Sequence, residues 1–373
     1  NRCGEGLLAR HNVYIPKEDY ERLKKYSLLE GDILVSVVGT PGIGAIVDSA
    51  LPPAVFSCKS TVYRTKSINP FYFVAYLNSL YGRKLLERSV RGAVQTGLNI
   101  DDLRDLPVFF PSTDAQEGIA NLVKNAKKAL DESKSLYSQA ESLLLEELGL
   151  KDFESKNELW SIVNLSEVKE ANRIDADYFD PKYSRLQKVL KNAQCLGDVA
   201  ERVTKRTDII PKNEYNYIEI SDVNAGNGEI SSNKIFGQEL PVNAKIKIGG
   251  GELIVSKVRP TRGAIAIIPD SWSKDFILSG AFSMFKVESP MREYLRVFLR
   301  SFVGKLQLEK PTTGTSYPII TDQDVEDILI PILPKTIQQK IADLVQKSHE
   351  ARKKSKELLD EAKHKVEEMI EKQ

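Results

Sequence analysis

The hexapeptide GDILVS at residues 31–36 returns almost unchanged as GELIVS at residues 251–256. The hexapeptides are 220 residues apart. Further along the chain the offset between matching residues is 222, as for IANLV at 119–123 and IADLV at 341–345. Further pairs at the offset of 222 are Ser57/Ser279, Tyr72/Tyr294, Ser79/Ser301, Gly82/Gly304, Gly92/Gly314, Asp102/Asp324 and Gln116/Gln338. Such long-period self-similarity predicts a tandem duplication.

The two copies differ in length. The repeated unit runs from roughly 160 to 373, and the second copy begins with about 65 residues, 160–225, that have no counterpart before Gly4. If the copies were once equal, a similar stretch preceded Asn1. We therefore expect that the first domain lacks its N-terminal part.

Each copy opens with a β-rich part. Valine and isoleucine in alternation, bounded by Gly and Pro turns, predict strands. These are Asp32–Val38, Gly44–Val47, Ser60–Tyr63, Tyr217–Ile220, Glu252–Val258, Ala264–Ile268 and Phe282–Val287. Aromatic residues and leucines at helical spacing predict one helix over Pro70–Ser89 and its counterpart over Met291–Gln307.

Each copy closes with a long helix, predicted at Asp114–Leu148 and at Thr336–Ile370. Apolar and small residues recur every seven positions, a period of about 3.5 per turn that predicts coiled-coil packing. The first helix carries more acidic than basic residues and the second the reverse, which favours pairing with each other. The predicted seam consists of Ile119, Ala126, Ser133, Ala140, Ile341, Ser348, Ser355 and Ala362.

The fold class predicted from these elements is α+β, with two mixed α/β domains separated by a long antiparallel two-helix coiled coil. The predicted boundaries are 1–111 for the first, incomplete domain, 112–150 for the central helix, 151–171 for a linker, 172–334 for the second domain and 335–373 for the C-terminal helix.

Composition excludes several classes of protein. The 373 residues are 41% hydrophobic and carry a net charge of +1, which argues against wholesale disorder and against a polybasic nucleic-acid binder. The three cysteines, Cys3, Cys58 and Cys195, are too far apart for a zinc pattern and suit a reducing cytoplasm. No apolar run is long enough to predict a membrane span.

Two segments of the sequence are similar to an enzyme motif but lack part of it. The segments 69–72 (NPFY) and 180–183 (DPKY) are similar to the Asn/Asp-Pro-Pro-Tyr/Phe signature of amino-methyltransferases, yet both lack its second proline. Neither follows a glycine-rich cofactor loop, and Asn69-Pro70 instead predicts a helix start with proline in the first turn. A nuclease carboxylate–lysine triad and a metal-ligand pattern are also missing. The sequence therefore predicts a chain without catalytic residues, metal or cofactor.

Polar and basic side chains cluster in predicted loops of the β-rich parts. Arg, Lys, Gln and Asn can contact base edges, while Ser, Thr and Lys suit phosphates. Taken one at a time these are ordinary solvated residues, and only their clustering favours DNA. The candidate DNA-binding residues are Lys59, Arg64, Arg91, Gln95, Thr96, Asn99, Lys257, Arg259, Arg262, Thr313, Thr315, Ser316 and Tyr317.

The order of motifs resembles the specificity (S) subunit of type I restriction–modification systems. The likeness lies in GDILVS with Gly44, in GELIVSKVRPTRG (251–263) and in RIDADYFDPKY (173–183). It also lies in the two helix entries, VFFPSTDAQEGIANLV (108–123) and IPILPKTIQQKIADLV (330–345). The first entry departs from the pattern because it lacks the second proline of the other.

The resemblance implies a non-catalytic subunit in which each target-recognition domain reads one half of a bipartite, asymmetric site in double-stranded DNA. It implies that the helix pair is both a ruler between the half-sites and a dock for two methyltransferase (M) subunits. Motor-nuclease (R) subunits would join for cleavage. S-adenosylmethionine, Mg²⁺ and ATP would belong to those partners, and none to this chain.

Two other functions remain open at this point. The chain could be the recognition part of a fused restriction enzyme–methyltransferase, which an intact reading frame of about 435 residues would exclude. It could also be a protein-interaction module of two β-domains on a coiled-coil stalk. DNA binding that weakens steeply with salt would distinguish a DNA specificity subunit from a protein-interaction module.

Overall fold

The computed structural model describes residues 14–49, 51–91, 97–151, 153, 160–204, 206–272 and 275–372. The strands are β1 Ile33–Ser36, β2 Gly44–Ile46, β3 Ser60–Tyr63, β4 Val90–Arg91, β5 Gly97–Leu98, β6 Gln194–Cys195, β7 Glu201–Arg202, β8 Glu214–Ile218, β9 Asn233–Phe236, β10 Ala244–Lys247, β11 Leu253–Ser256, β12 Ile265–Ile267, β13 Phe276–Ser279, β14 Phe282–Lys286 and β15 Leu329–Ile330. The helices are α1 Lys17–Arg22, α2 Pro70–Asn78, α3 Leu80–Arg88, α4 Ile100–Arg104, α5 Thr113–Glu147, α6 Leu165–Ala171, α7 Pro181–Val189, α8 Leu196–Val199, α9 Met291–Arg300, α10 Phe302–Glu309, α11 Asp322–Glu326 and α12 Lys335–Glu371.

The repeated hexapeptides form the central strand of corresponding sheets. In the first copy the strand order is β2-β1-β3, and in the second it is β12-β11-β14, extended by β7. The pairings are antiparallel and keep their register, since Ile33 lies opposite Tyr63 as Leu253 lies opposite Phe285. The predicted duplication is therefore present in the sheet topology.

The second copy has an additional sheet with the order β10-β13-β8-β9, in which β13 and β8 run parallel. Successive side chains of β11 point to opposite faces, and those on one face pack against this additional sheet. Ile254 packs in one core with Ile218 and Leu278 of this additional sheet, while its neighbour Leu253 packs in another with Phe298 of α9. Strand β11 thus lies in a layer between a second sheet and helices, buried on both faces.

The two predicted single helices are each broken, which corrects the sequence prediction. Ser79 separates α2 from α3, and Ser301 separates α9 from α10. A Cβ on Gly82 would lie 2.1 Å from the carbonyl oxygen of Tyr76, and one on Gly304 would lie 2.5 Å from that of Phe298. The third residue of α3 and of α10 thus lies directly against the backbone of the preceding helix, and only glycine fits there.

Side-chain caps fix where several helices begin. Asn69 accepts hydrogen bonds from the amides of Phe71 and Tyr72, so the predicted start of a helix at Asn69-Pro70 is confirmed. Thr321 and Asp324 form a capping box at α11, whereas the side chain of Asn99 makes no capping bond at α4.

A glutamine at the corresponding position of each copy holds the start of both long helices. The Nε2 atom of Gln116 donates to the carbonyl of Pro111 at 3.0 Å, and that of Gln338 donates to the carbonyl of Leu333 at 2.7 Å. Both side chains are buried, so these bonds hold the entry to the helix in the same conformation in each copy.

The long helices α5 and α12 run antiparallel. The hydroxyl of Ser348 donates to the carbonyl of Ser133 at 2.7 Å, and the two hydroxyls are 3.1 Å apart. Earlier residues of α5, from Ile119 to Ala126, share a core with later residues of α12, from Leu359 to Val366. All eight predicted seam residues are buried.

The chain divides into two compact units that cut across the predicted boundaries. The first unit is Asn1–Ser135 with Lys347–Gln373, and the second unit is Leu136–Gln346. Each unit therefore contains one β-rich part and a portion of both long helices. The prediction of a mixed fold with two α/β parts and long paired helices is confirmed.

Candidate functional site

Two segments of the second unit meet beyond the end of β11. The turn 257–263 follows β11, and the loop 312–321 precedes α11. The amide of Ile320 donates to the carbonyl of Lys257 at 2.9 Å, and the amide of Arg259 donates to that of Pro318 at 2.7 Å. The structure thus brings Lys257, Arg259 and Arg262 together with the polar residues of the 312–321 loop, a contact between the two segments that the sequence did not predict.

Arg259 has a left-handed backbone, with φ +47° and ψ +53°. This conformation costs an L-residue about 1–2 kcal/mol, so contacts around Arg259 must hold it in place. Its guanidinium lies 4.2 Å from the ring centre of Tyr317, and its Nη2 donates to the carbonyl of Ser316 at 3.1 Å. The tyrosine ring is 67% exposed. The pair therefore presents a cation stacked on an aromatic plane at the surface.

Lys257 is tied into an ionic network behind the turn. Its ammonium lies 2.9 Å from the carboxylate of Asp322, which also accepts a hydrogen bond from the hydroxyl of Ser283 at 2.6 Å. Burial acts to raise the pKa of Asp322, but the bonds from Ser283 and Lys257 and the nearby charge of Arg202 outweigh it and hold that pKa below its usual value. Lys257 thus anchors the turn and is only 19% exposed.

Two buried arginines of α9 bond the end of the turn and the neighbouring segment 225–227. Arg300 donates to the carbonyls of Gly263 and Ile265 at 2.8 and 3.0 Å and to that of Ala225 at 2.9 Å. Arg296 donates to the carbonyl of Asn227 at 3.0 Å, and its burial lowers its pKa to about 10. Sequence reasoning missed both residues, because an arginine in an aromatic-rich helix gives no sign that it will be buried. The bonds of Arg300 join the end of the turn, at Gly263, to Ile265 of β12.

The first unit repeats this arrangement in outline. The amide of Leu98 donates to the carbonyl of Val37 at 2.9 Å, at positions that correspond to Ile320 and Lys257. Gly39, with φ +90°, occupies the left-handed position that Arg259 fills in the second copy. The same loop-on-loop contact therefore exists in both units, but the first carries no side chain at the position of Arg259.

The predicted DNA-binding residues of the first unit do not all lie near this contact. Arg91 is the last residue of β4 and Asn99 follows the strand β5 that pairs with it, and Arg91 lies 2.7 Å from Asp102. Lys59 is exposed beside the same end of the sheet, where its carbonyl accepts the amide of Val37. Gln95 and Thr96 lie outside the described residues.

Arg64 lies at the opposite end of the sheet from these residues. Its guanidinium binds both carboxylate oxygens of Asp32, at 2.9 and 3.1 Å, and the carbonyl of Ser27 at 2.9 Å. Because Asp32 is only 4% exposed, Arg64 neutralises a buried charge. The structure thus separates Arg64 from the other candidates.

Exposed polar groups dominate the surface formed by the turn 257–263 and the loop 312–321. Arg262, Thr313, Thr315, Ser316 and Tyr317 are all exposed. Hydroxyls and guanidinium groups of this kind can donate to phosphates and to base edges. Over the part of the chain that is described, no cluster of three metal-ligating side chains occurs, and no helix is long and apolar enough to cross a membrane.

A family match covers this site. Residues 191–363, which include β11, the turn 257–263, the loop 312–321 and much of α12, match the family model described as Type I restriction modification DNA specificity domain. Residues 191–363 are therefore similar to a type I restriction–modification DNA specificity domain, which confirms the resemblance seen in the sequence motifs for this part of the chain.

Solved structures of type I specificity subunits are similar to most of the chain. The S subunit of the type I restriction-modification system from M. genitalium shares 15% identity with a TM-score of 0.40, over 92% of this chain and 84% of that one. The HsdS subunit from Thermoanaerobacter tengcongensis shares 14% with a TM-score of 0.31, over 91% and 81%. Both TM-scores are below 0.5, and the similarity to this family is carried by the match of residues 191–363. The comparison with curated proteins gave no match.

Proposed function

We propose that this chain is the non-catalytic subunit that selects the DNA sequence for a type I restriction–modification complex. Each unit would read one half of a bipartite, asymmetric site through its paired loops. The chain would act in the cytoplasm and bind no cofactor itself. S-adenosylmethionine, Mg²⁺ and ATP would be bound by its partner subunits.

The observation that carries this proposal is the stacked pair of Arg259 and Tyr317 on the turn 257–263. A preorganised guanidinium loses less conformational freedom on binding than a mobile one, and it can donate two parallel hydrogen bonds to guanine. Thr315 and Ser316 lie on the adjacent loop, where hydroxyls suit phosphate oxygens. The match of this segment to a DNA specificity domain supports the same interpretation.

The partner subunits are proposed from what the resemblance to the family implies. Two methyltransferase subunits would dock on the paired helices α5 and α12, and motor-nuclease subunits would join for cleavage. The exposed faces of both helices alternate acidic and basic side chains, which could provide the charge complementarity for such docking.

Binding to a duplex library tests DNA recognition directly. We expect the purified chain, alone or with methyltransferase subunits, to enrich two short sequences separated by a spacer of constant length. Affinity should fall steeply with salt, because phosphate contacts release counterions. Salt-independent binding without enrichment would instead favour a protein-interaction module.

Methyl transfer tests the absence of catalysis. We expect no incorporation of label from S-adenosylmethionine into target DNA by the chain alone, and incorporation once methyltransferase subunits are added. Activity of the chain alone would contradict the proposal.

A further inference from the structure

A hairpin of the second unit, residues 222–231, lies beside the turn 257–263. It follows β8, and the amide of Asn224 donates to the carbonyl of Glu229 at 2.8 Å across it. The residues of its tip, 224–226, are exposed. The sequence predicted no DNA-binding residue on this hairpin.

The topology of the sheets places the hairpin and the turn at the same end of the unit. Strands β8 and β13 run parallel, so both end on the same side of the additional sheet. Only Gly280 and Ala281 separate β13 from β14, and the amide of Lys257 donates to the carbonyl of Ala281 at 2.8 Å. The chain therefore leaves β8 at the end of the sheets from which the turn 257–263 projects.

Arg300 joins the hairpin to the turn. Its Nη2 atom donates to the carbonyl of Ala225 at 2.9 Å, while its Nη1 atom donates to the carbonyl of Gly263 at 2.8 Å. A Cβ on Gly263 would lie 3.3 Å from the carbonyl oxygen of Ala225. The tip of the hairpin and the end of the turn are thus in direct backbone contact.

This contact brings the tip within one half-site of Arg259. The amide of Arg262 donates to the carbonyl of Arg259 at 3.0 Å, and such a turn keeps the two Cα atoms within about 7 Å. Gly263 is one residue further, about 3.8 Å. Because DNA rises about 3.4 Å per base pair, the tip lies within about five base pairs of the base pair that Arg259 would read.

Charge favours a base contact by the hairpin over a phosphate contact. Residues 222–231 include two carboxylates, Asp222 and Glu229, and no lysine or arginine. Carboxylates near the DNA backbone repel phosphates, whereas an uncharged amide can bond to a base edge in a groove. The exposed amide of Asn224 is the group at the tip that meets this requirement.

The side chain of Asn224 is oriented by the hairpin but keeps bonding capacity. Its Oδ1 atom accepts from the amide of Gly226 at 2.9 Å, which leaves one lone pair on that oxygen. Among the described residues, its Nδ2 atom has no hydrogen-bond partner. By contrast, Asn227 uses both atoms on Glu229, since its Oδ1 accepts from the amide and its Nδ2 donates to the carboxylate, each at 2.8 Å.

We propose that the tip 224–226 is a further part of the DNA-reading surface of the second unit and that Asn224 determines specificity for an A·T base pair. Its Nδ2 would donate to N7 of adenine and its Oδ1 would accept from N6, the pairing that asparagine makes in the major groove. This inference rests on the proposed function, because it requires DNA on the surface that carries Arg259.

Selection from a duplex library by the full chain tests the role of Asn224. Asn224→Ser keeps an oxygen that can accept from the amide of Gly226 and removes Nδ2. The preference at one A·T base pair should fall about fivefold or more, while the half-site read by the first unit stays unchanged. Asn213→Ser is the matched control, since Asn213 is exposed and precedes β8 at the opposite end of the strand. It should give the sequence profile of the parent chain.

The position and the salt dependence of the effect distinguish a base contact from other causes. The relaxed base pair should lie in the same half-site as the one relaxed by Arg259→Ala, within about five base pairs of it and distinct from it. The slope of affinity against salt should equal that of the parent chain, because no phosphate contact is lost.

An unchanged profile for Asn224→Ser, relaxation at a G·C base pair or in the other half-site, or uniform weakening with a shallower salt slope would each overturn the inference. These outcomes would leave the proposed function intact, because the parent chain would still enrich two half-sites. A parent chain that enriches no sequence would overturn the proposed function and this inference with it.

Discussion

At the scale of single residues, Arg259 concentrates three unusual features: a left-handed backbone, a stacked guanidinium and a position at the tip of a loop pair. The first copy has Gly39 at the same place, which shows that the backbone conformation belongs to the repeat and the side chain to the second copy alone. A conserved turn geometry with a variable side chain is what two domains of different specificity would require.

Arg259→Ala should weaken binding to the cognate site by about 1–3 kcal/mol and relax the preference at one base pair. Arg259→Gly is the matched variant, because glycine adopts the left-handed conformation without penalty and should raise stability while losing the same affinity. Enrichment from a duplex library and Tm measure the two effects. Uniform weakening on every sequence would show a phosphate contact, and unchanged affinity would remove this turn from the interface.

Asp322 makes the stability of the second unit depend on pH. Its pKa is lowered in the folded state, so its stabilising contribution is complete above the ordinary carboxyl pKa and is lost as pH falls through the folded value. Since the side chain is 36% exposed, solvent screening limits this to about 1 kcal/mol or less. Asp322→Asn should reduce stability at pH 7 and flatten its decline between about pH 5 and 2.

Denaturant unfolding at several pH values measures this difference. The exposed Glu288 makes no ion pair with the described residues, so Glu288→Gln serves as the control and should leave the profile unchanged. If Asp322→Asn followed the same acid profile as the parent chain, the network with Lys257 and Ser283 would not contribute to folding.

At the scale of elements, the sequence could predict the strands and helices that occur in both copies and have a regular apolar period. The three strands of each β2-β1-β3-type sheet and the two long helices were identifiable because their apolar periods are clear over several residues. The additional sheet was mostly not identifiable, since three of the four residues of β9 are exposed and β13 pairs in parallel with β8, about 60 residues earlier in the chain. Pairing of that kind depends on tertiary context and leaves little local pattern.

The break between the paired short helices escaped prediction for another reason. Ser79 and Gly82, with Ser301 and Gly304, were visible as repeated pairs but also fit a continuous helix pattern. The hydroxyl of Ser79 donates to the carbonyl of Tyr76 at 2.7 Å, and that of Ser301 to the carbonyl of Phe298 at 2.6 Å. The repeated Ser-x-x-Gly spacing is thus the signal that marks the break.

Gly304→Ala should lower the free energy of unfolding by about 2 kcal/mol or more, because its Cβ would overlap the backbone of Phe298 and Leu299. Gly82→Ala should have a similar effect in the first unit. Gly118→Ala is the control, since its Cβ would meet nothing within 4 Å and alanine favours the helix by up to about 1 kcal/mol. Equal unfolding midpoints for Gly304→Ala and the parent chain would show that the helix junction can relax.

At the scale of the whole molecule, the duplication would allow one chain to select two DNA sequences, as the proposed function requires. The sheet, the helix break, the glutamine at the helix entry and the loop-on-loop contact are shared, while the exposed side chains on the loops differ. Burial constrains the shared parts in both copies, whereas exposed loop residues are free to vary without loss of stability. Under the proposed function, the exposed loop residues and not the fold would determine which bases each unit reads.

The paired helices offer a test of the ruler. Because Ser133 lies opposite Ser348, the heptads KALDESK (128–134) and KSHEARK (347–353) lie level with each other. Duplicating both heptads keeps the seam in phase and lengthens the pair by about 10 Å at about 1.5 Å per residue. DNA rises about 3.4 Å per base pair, so the preferred spacer should grow by about three base pairs while both half-sites stay the same.

Selection over a library of spacers decides the outcome, with the parent chain and a variant that duplicates only residues 128–134 as controls. The single duplication should lower Tm, since it shifts one helix past its partner. Affinity should fall even in the double variant, because the added base pairs turn one half-site around the DNA axis, so the preferred spacer is the informative quantity. An unchanged spacer with retained affinity would show that α5 and α12 do not set the distance between the half-sites and would leave docking of partner subunits as their role.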